Sequence, residues 1–580
     1  MAIFTAIAGA VVGALGIAGA IGTALTSVIA GALAIGASVA VQALTAKKPG
    51  DPRSTSGPTP AAQVVLNQTT GPRVRGYGRA KLGGTRAFWD SREGRLYQVL
   101  MQHSGQIDAY ETFFAGDLQL GIDGSGNNTA APINDYLYLS SHTGDPNQGA
   151  ASLMLNNWSD VWTTAHRLRG IAYLVTVFRS PGQETFSEKY PEGAMTPIRA
   201  IMRLSRVWDP RVSAQDPNDE ATWAWSDNPA LCILDYLRHP DGYRRSLADI
   251  DVPSFSAFAS LCDQPIPLAA GGTEKRYRLW GIYSLTEDPS DVLRRMLATC
   301  DGELYQTHEG RIALRGGVWT PPTVMITEGE VLSHQLEQGN NRFGAFNELK
   351  IIYTSPLHDY QAMEAIPWID LADQAERGVL QDDLTLDLVP SATQARRLAK
   401  IHTRKLNPRW RGTVRVAFGP GIDALGERTI RLVLPELQID DAFQITRFSM
   451  APDLTAVEMD VVTLGEEAYT WNPAIEERET PPIPQETTPD LTFPVPQTLT
   501  PTKVGSTIRV TVANPGRDDL TLHAQYRAGA GAVWQDMALV EGQYAAVSPN
   551  LAAGSYDVRA RWRAAQQVAG EWTAIQSITI

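Results

Sequence analysis

The sequence of residues 223–245 predicts a helix and marks both of its ends, so this segment limits which folds the chain can adopt. Asn228 is a preferred N-cap residue, and Pro229 suits the first helical position because its missing N–H is not needed there. His239-Pro240 ends the helix. Leucines three residues apart share one face, namely Leu231, Leu234 and Leu237. The pattern predicts a small buried helix.

Several short motifs occur in order around this helix. Val207-Trp208-Asp209-Pro210-Arg211 precedes it closely. The other motifs, from the N-terminal side onward, are Gly76–Gly84, Leu96–Leu100, Ser104–Ala109, Arg169–Tyr173, Arg276–Gly281, Glu287–Leu293, Asn347–Lys350 and Ser355–Gln361. In this order they resemble the tail-tip hub proteins of long-tailed phages, the family similar to the host-specificity protein J of phage lambda. The resemblance covers about residues 70–475, with Trp208 where the family more often has Tyr.

This resemblance implies a homotrimer in which each chain contributes two related β-barrel-like hub domains. Three chains would then present six similar faces to a sixfold tail tube. The implied role is structural. The hub closes the tube at the distal end of the tail in the virion, connects it to the central or receptor-binding fibre, and opens for tape-measure and DNA ejection. The implied partners are other copies of the chain, a hexameric distal tail or tail tube protein, the tape-measure protein and the fibre protein.

The composition limits other classes of function. The chain has 580 residues, enough for roughly four domains, each with its own core. A formal net charge of -13 argues against a nucleic-acid-binding surface, so we expect no specific nucleic-acid binding. Acidic walls would repel phosphate and let DNA slide through a channel. Three cysteines at wide, unpatterned spacing, Cys232, Cys262 and Cys300, indicate neither a disulfide framework nor a zinc site.

Residues 1–46 carry no charged side chain and are rich in small and aliphatic residues. As one helix they would be about 69 Å long at about 1.5 Å per residue, enough for two spans of a bilayer. Small residues recur at the spacing that lets helices approach closely, namely Gly9, Gly13, Gly16, Gly19 and Gly22. Two interpretations stay open. The segment is either a membrane anchor or a set of helices packed around the threefold axis, which could plug the lumen, contact the tape-measure protein or enter the host envelope.

Composition shifts divide the rest of the chain. The predicted parts are a linker at 47–62, a first β-rich hub region at 63–200, an α+β middle region at 201–330, a second β-rich hub region at 331–475, a Glu/Pro-rich hinge at 476–490 and a β-sandwich at 491–580. The sandwich resembles a fibronectin type III domain. The fold class is therefore multidomain and mainly β (α+β), with β-barrel-like hub domains, an inserted α/β middle region, a C-terminal β-sandwich and an N-terminal apolar helical segment.

Local patterns in the folded body give further predictions. Helices begin after Asp288, with Pro289 at the first position, and at the capping-box residue Ser391. Gly419-Pro420-Gly421 is predicted to be a turn, and Gly121–Asn128 a plain loop. The basic residues of the Ser391 helix form a solvated face or contact an acidic neighbour in an assembly. These residues are Arg396, Arg397, Lys400, Arg404 and Lys405.

No sequence motif for catalysis is present, and we expect neither catalysis nor a metal or cofactor. HExxH, CxxC, Walker A and GxSxG are absent. His358-Asp359 has no recognisable partner nucleophile, so His358 is predicted to be structural. Two other classes of protein stay open. One is a membrane-anchored surface adhesin with a fibronectin type III domain. The other is a polysaccharide-degrading tail enzyme, which would need two facing carboxylates roughly 5 to 10 Å apart in a cleft.

Overall fold

The computed structural model is mainly β, as predicted. It describes residues 63–66, 71–182, 185–190, 193, 195–339, 345–478, 480–482, 493–497, 499–540, 544–564 and 569–580. The predicted apolar segment at 1–46, the linker at 47–62 and residues 483–490 of the predicted hinge lie outside the described residues. In the described part, no helix is long and apolar enough to cross a membrane.

Two sheets face each other in the first β-rich region. Its elements are β1 (Val65–Leu66), β2 (Val74–Tyr77), β3 (Arg79–Leu82), β4 (Gly84–Arg92), β5 (Arg95–Ser104), β6 (Ile107–Ala115), β7 (Leu118–Leu120), β8 (Leu137–His142), α1 (Ser152–Asn157), β9 (Ile171–Arg179), α2 (Phe186–Lys189), β10 (Ile198–Val207) and β11 (Ala224–Trp225). One sheet has the order β1-β4-β5-β9-β8, and the other has the order β11-β10-β6-β7 with β3 also on β10. Strand β9 is apolar on both faces because one face meets the second sheet and the other meets α1, Trp158 and Trp162.

The middle region is built around the helix predicted from Asn228. Its elements are α3 (Pro229–Arg238), α4 (Val252–Cys262), β12 (Pro265–Pro267), β13 (Thr273–Lys275), β14 (Gly281–Ser284), α5 (Pro289–Ala298), β15 (Gly302–Gln306) and β16 (Ile312–Gly316). The Asn228 side chain accepts from Ala230 N at 3.1 Å, as expected of an N-cap. The predicted small buried helix is confirmed, because α4, α5 and β10 surround α3 and bury it from Pro229 to Leu237. Helix α5 begins after Asp288, as predicted.

A three-stranded sheet and a long helix share the core of the middle region. The elements that follow β16 are β17 (Val324–Thr327), β18 (Val331–Gln338), β19 (Glu348–Ser355), β20 (Gln361–Ile369), α6 (Leu371–Arg377), β21 (Gln381–Leu386), α7 (Ala392–Leu406), β22 (Trp410–Ala417), α8 (Phe418–Asp423), β23 (Thr429–Leu434), β24 (Ile439–Met450), β25 (Ala456–Thr463) and α9 (Pro473–Glu476). The sheet has the order β20-β19-β21, and α7 packs on it. One hydrophobic cluster includes side chains of α3, α4, α5, β19 and α7.

The second barrel-like unit is a six-stranded half-barrel with the order β17-β23-β24-β25-β22-β18. A short 3-10 turn, Glu328–Glu330, takes the chain from one edge strand to the other. Its core is separate from that of the middle region. Helix α8 packs on β25, so the prediction of a turn at Gly419-Pro420-Gly421 is wrong. Gly421 allows this close approach, because a Cβ there would lie 2.7 Å from the Cβ of Val457.

The predicted C-terminal β-sandwich is confirmed, while its likeness to fibronectin type III stays a prediction. Its strands are β26 (Thr500–Val504), β27 (Thr507–Thr511), β28 (Leu520–Arg527), β29 (Gln535–Asp536), β30 (Ala538–Val540), β31 (Ala545–Val547), β32 (Ser555–Ala564) and β33 (Gln576–Thr579). The two sheets have the orders β26-β27-β31-β30 and β29-β28-β32-β33. Trp562 is fully buried between them.

Candidate functional site

Three groups of buried polar side chains join the parts of the molecule, and the first surrounds Asp235 on α3. Its Oδ2 atom receives hydrogen bonds from Arg75 Nη2 at 3.1 Å and from Tyr77 Oη at 2.7 Å. Burial lowers the pKa of Arg75, but Asp235, Tyr77 and Tyr283 together outweigh it and the net shift is upward. Burial and the same carboxylate raise the pKa of Tyr77, which stays a neutral donor. The group therefore fastens β2 of the first region to the central helix.

His103 completes this group as a neutral side chain. Its Nε2 atom accepts from Gly76 N at 3.0 Å, and its Nδ1 atom lies 3.2 Å from Gly105 O. Burial and the nearby Arg75 charge lower the pKa of His103 to about 3. The imidazole thus has no charge near neutral pH, and it links β2 to the end of β5.

The second group joins the first β-rich region to the turn between β19 and β20. Lys81 on β3 is buried, and its Nζ atom lies 2.5 Å from Asp359 Oδ1. Asp359 has a φ of 55°, in the left-handed region. His358 is structural, as predicted: its Nδ1 atom lies 2.8 Å from Ser355 Oγ, and its Nε2 atom lies 3.0 Å from Pro482 O.

The third group surrounds Asp301 and joins α7 to the half-barrel. The Asp301 carboxylate contacts Lys405 Nζ, Arg428 Nη2 at 3.0 Å and Tyr469 Oη at 2.9 Å. Burial would raise the pKa of Asp301, but the Lys405 and Arg428 charges lower it, so the carboxylate stays ionised. Glu303, on β15, adds an ion pair with Arg315 at 3.2 Å. Lys405, Arg428 and Tyr469 thus bring three other segments of the chain to the Asp301 carboxylate.

Most of the basic face of α7 is buried, so the prediction of a solvated face is wrong for Arg396, Arg397, Lys400 and Lys405, while Arg404 is exposed. Arg397 Nη2 lies 2.6 Å from Glu274 Oε1, and Lys400 Nζ lies 2.5 Å from Glu476 Oε1. The acidic neighbours belong to the same chain. They cover this face because β13 and the segment leading into α9 fold back over the helix.

Strand β18 forms an open edge of the half-barrel. It pairs with β22 and with no other described strand. Its side chains are mostly exposed, Leu332 to 57%. Pro and Lys, which often protect edge strands, are absent from Val331–Gln338. Such an edge offers a row of backbone N–H and C=O groups to which another strand can add.

Strand β8 is the outer strand of the first sheet, and a loop covers it. Backbone hydrogen bonds join this loop to Leu137 at 2.9 Å and to Leu139 at 2.8 Å. The Asn128 side chain is buried and braces the loop, because its Oδ1 atom accepts from two backbone N–H groups at 3.1 Å each. The stretch Gly121–Asn128 is a loop, as predicted, and it covers the β8 edge of the first sheet.

The three cysteines are free, buried thiols. Burial raises the pKa of Cys300 to about 12, so its thiol stays protonated. In the described part, no group of three or more His, Cys, Asp or Glu side chains is placed to hold a metal ion. The predicted helix-packing residues, Gly9, Gly13, Gly16, Gly19 and Gly22, lie outside the described residues.

Asp235 and Asp301 were not found from the sequence. A signal existed for Asp235, because it lies between two apolar residues in a helix whose neighbours are nearly all apolar. A carboxylate there needs a buried partner. Asp301 follows a helix end and has no local sign of its role, since Lys405 and Arg428 are more than a hundred residues away.

No protein-family model and no curated protein matches the chain. Two solved structures match the chain. One is a chain from the virion of a native gene transfer agent particle, which is 15% identical with a TM-score of 0.51, and the match covers 76% of this chain and 94% of that chain. Another is the 43 kDa tail protein of prophage MuSo2 from Shewanella oneidensis, which is 11% identical with a TM-score of 0.25, and the match covers 68% of this chain and 93% of that chain. The first likeness shows a shared fold.

Proposed function

We propose that the chain is the structural tail-tip hub of a long-tailed bacteriophage. Three copies form a ring that closes the tail tube at the distal end of the virion's tail. The ring connects the tube to the central or receptor-binding fibre and opens for tape-measure and DNA ejection. The partners are other copies of the chain, the hexameric distal tail or tube protein, the tape-measure protein and the fibre protein.

The observation that carries this proposal is the fold shared with a chain of a gene transfer agent virion. That likeness extends over 94% of the virion chain. It also covers 76% of this chain, so it concerns most of both chains. The ordered motifs between Gly76 and Gln361 support the same family independently of the fold.

The three buried polar groups support a role that needs fixed geometry. A ring of three chains can present six similar faces only if the two β-rich regions of each chain keep one relative orientation. The Asp235 group holds the first region to α3, and the Asp359 group holds it to the turn between β19 and β20. The Asp301 group holds the half-barrel to α7. Arg75 and Asp235 form a buried pair, as do Arg428 and Asp301, whereas Lys81 is a buried cation whose partner Asp359 is 46% exposed. Removing a partner leaves a buried charge uncompensated, so each group resists rearrangement. The open edge of β18 then gives the ring a place for a strand from outside the chain.

We further propose that the chain has no catalytic role. The strongly shifted groups that we describe all have structural partners, as with Asp301 and His103. A polysaccharide-degrading enzyme is the competing class, and a direct assay separates the two. Purified chain incubated with host surface polysaccharide should release no new reducing ends, and release would favour the enzyme.

Immunogold labelling tests the location. An antibody to residues 493–580 should place gold at the distal end of tailed particles released by the producing cells. Antibody absorbed with the purified chain is the control and should leave the particles unlabelled. Gold on cell envelopes with none on particles would overturn the proposal and favour the membrane-anchored adhesin.

A further inference from the structure

A partly enclosed cavity lies in the first β-rich region, beside β2, β5 and β14. Its volume is about 230 Å³, and its wall is mostly apolar. An engineered apolar cavity of about 150 Å³ stays dry and binds benzene. The cavity here is larger, so it has room for an apolar ligand of roughly nine carbons. The apolar side chains of the wall include Leu66, Val74, Leu82, Met101, Ile171 and Ile282.

Two polar side chains of the wall form hydrogen bonds within the protein. His103 uses both ring nitrogens, one with Gly76 N at 3.0 Å and the other with Gly105 O at 3.2 Å. Gln102 Nε2 donates to Leu82 O at 2.9 Å. His103 is neutral near pH 7, because burial and the Arg75 charge lower its pKa to about 3. The inner wall of the cavity therefore carries no charge.

One cation lies at the edge of this cavity. Arg73 lines the wall and is exposed, so its guanidinium lies where the cavity meets solvent. Its Nη2 atom donates to Ser104 Oγ at 2.5 Å. Its Nη1 and Nε atoms form no hydrogen bond with any described residue, and no described carboxylate pairs with it. Arg73 therefore keeps N–H donors for an anion from outside the chain.

The next two arginines along the chain differ from Arg73, because carboxylates neutralise them. Arg75 lies 3.1 Å from Asp235, and Arg79 lies 3.0 Å from Glu111. Both are thus committed to the fold. The free charge in this part of the chain is the one beside the apolar cavity.

We propose that this cavity binds a free medium-chain fatty acid. The alkyl chain fills the apolar interior, where the burial of each CH₂ group is favourable. The carboxylate stays at the edge and accepts hydrogen bonds from the Arg73 guanidinium. An uncharged interior with one cation at its edge matches the uncharged tail and the anionic head of this ligand. This binding goes beyond the hub function and does not depend on it.

The length of the fatty acid gives the first test. Calorimetry with the full-length protein at pH 7 should show one decanoate bound per chain. Octanoate lacks two of the buried CH₂ groups and should bind roughly 15-fold more weakly, because each group changes affinity about fourfold. Tetradecanoate should gain less than about fourfold over decanoate, because its extra carbons find the cavity full. Equal affinity for octanoate and decanoate would overturn the proposal, since the chain would then lie outside the cavity.

Two substitutions test the two ends of the ligand. Arg73→Gln should weaken decanoate binding at least threefold and leave the binding of decanol, which has no charge, unchanged. Arg95→Gln is the matched control, because Arg95 is an exposed arginine of β5 outside the wall, and it should leave both unchanged. Val74→Phe puts a larger side chain into the wall and should weaken decanoate binding at least tenfold. The series of chain lengths uses the parent chain, so it stands even if Val74→Phe fails to fold.

Four other results would overturn the proposal. The first is absence of decanoate binding. The second is equal binding of decyltrimethylammonium, which has the same chain and the opposite charge. The third is equal weakening by Arg73→Gln and Arg95→Gln, which would assign the effect to surface charge in general. The fourth is displacement of decanoate by phosphatidylglycerol vesicles, which would assign the cavity to a membrane lipid.

Discussion

The two β-rich regions differ in whether an outer strand of the sheet is covered. In the first region, the loop at 121–130 runs along β8 and satisfies backbone groups of that strand. In the half-barrel, β18 is equally an outer strand, yet it pairs only with β22 among the described strands. Exposed edges invite pairing with other chains, and proteins usually protect them. We propose from this difference that the half-barrel pairs with another chain along β18, whereas the loop prevents such pairing along β8.

The regions also differ in how they are attached. The first region is joined to α3 by a network that includes a neutral histidine, His103. The half-barrel is joined through Asp301, a carboxylate that two cations share, with Glu303 3.6 Å from Arg428 Nε beside it. If the half-barrel is the part that meets neighbouring chains, its attachment must bear the load of the assembly. Variants of the two attachments and of the two outer strands test this contrast.

Asp301→Asn should have the largest effect, because it leaves Lys405 and Arg428 buried without their shared carboxylate. Removing one partner of a buried pair costs about 3 to 5 kcal/mol. Urea denaturation at pH 7 measures the loss in the free energy of unfolding. Asp440→Asn is the matched control, since Asp440 is in the same half-barrel but pairs with Arg431 at the surface. Equal losses in the two variants would show that the buried group is not the main attachment.

His103 gives the first region a pH dependence. Its pKa in the folded protein, about 3, lies below the ordinary value of 6.5. The unfolded chain therefore binds the proton first, so this contribution to stability is fully present above about pH 6.5 and is lost as the pH falls toward 3. His103→Gln should make the fall in unfolding free energy between pH 6 and 4 shallower by about 1.4 kcal/mol per pH unit. An unchanged slope would mean that His103 does not stay neutral in the folded protein.

The features predicted from sequence are those that depend on neighbouring residues. The starts of α3 and α5 follow from Asn228 and Asp288, because a cap and its helix are local. The basic face of α7 was misassigned, because its partners Glu274 and Glu476 lie far away in the sequence. Gly and Pro favour turns, so the sequence predicts a turn at residues 419–421. The helix found there depends on the close packing of Gly421 on Val457, which the neighbouring residues do not indicate. The candidate site depends on such long-range contacts, so the role of Asp301 could not be predicted from neighbouring residues.

Asn128→Ala should uncover the edge that the first region protects. The Asn128 side chain is fully buried and accepts from two N–H groups of its loop. Leaving those donors unpaired costs about 1 to 3 kcal/mol, and it loosens the loop over β8. Light scattering at increasing concentration should show aggregation that the parent chain lacks. Asn127→Ala is the control in the same loop, because its side chain makes only a contact of 3.5 Å with Arg179.

Leu332→Lys should change stability least and assembly most. Leu332 is 57% exposed, so the substitution should alter the unfolding free energy by no more than about 0.5 kcal/mol. A lysine on an edge strand opposes the addition of another strand, so sedimentation velocity should show less self-association than in the parent chain. Leu539→Lys is the matched control, because Leu539 is 50% exposed on an edge strand of the sandwich. If Leu332→Lys assembles like the parent chain, β18 is open for some other reason, and the contrast between the two regions says nothing about where copies meet.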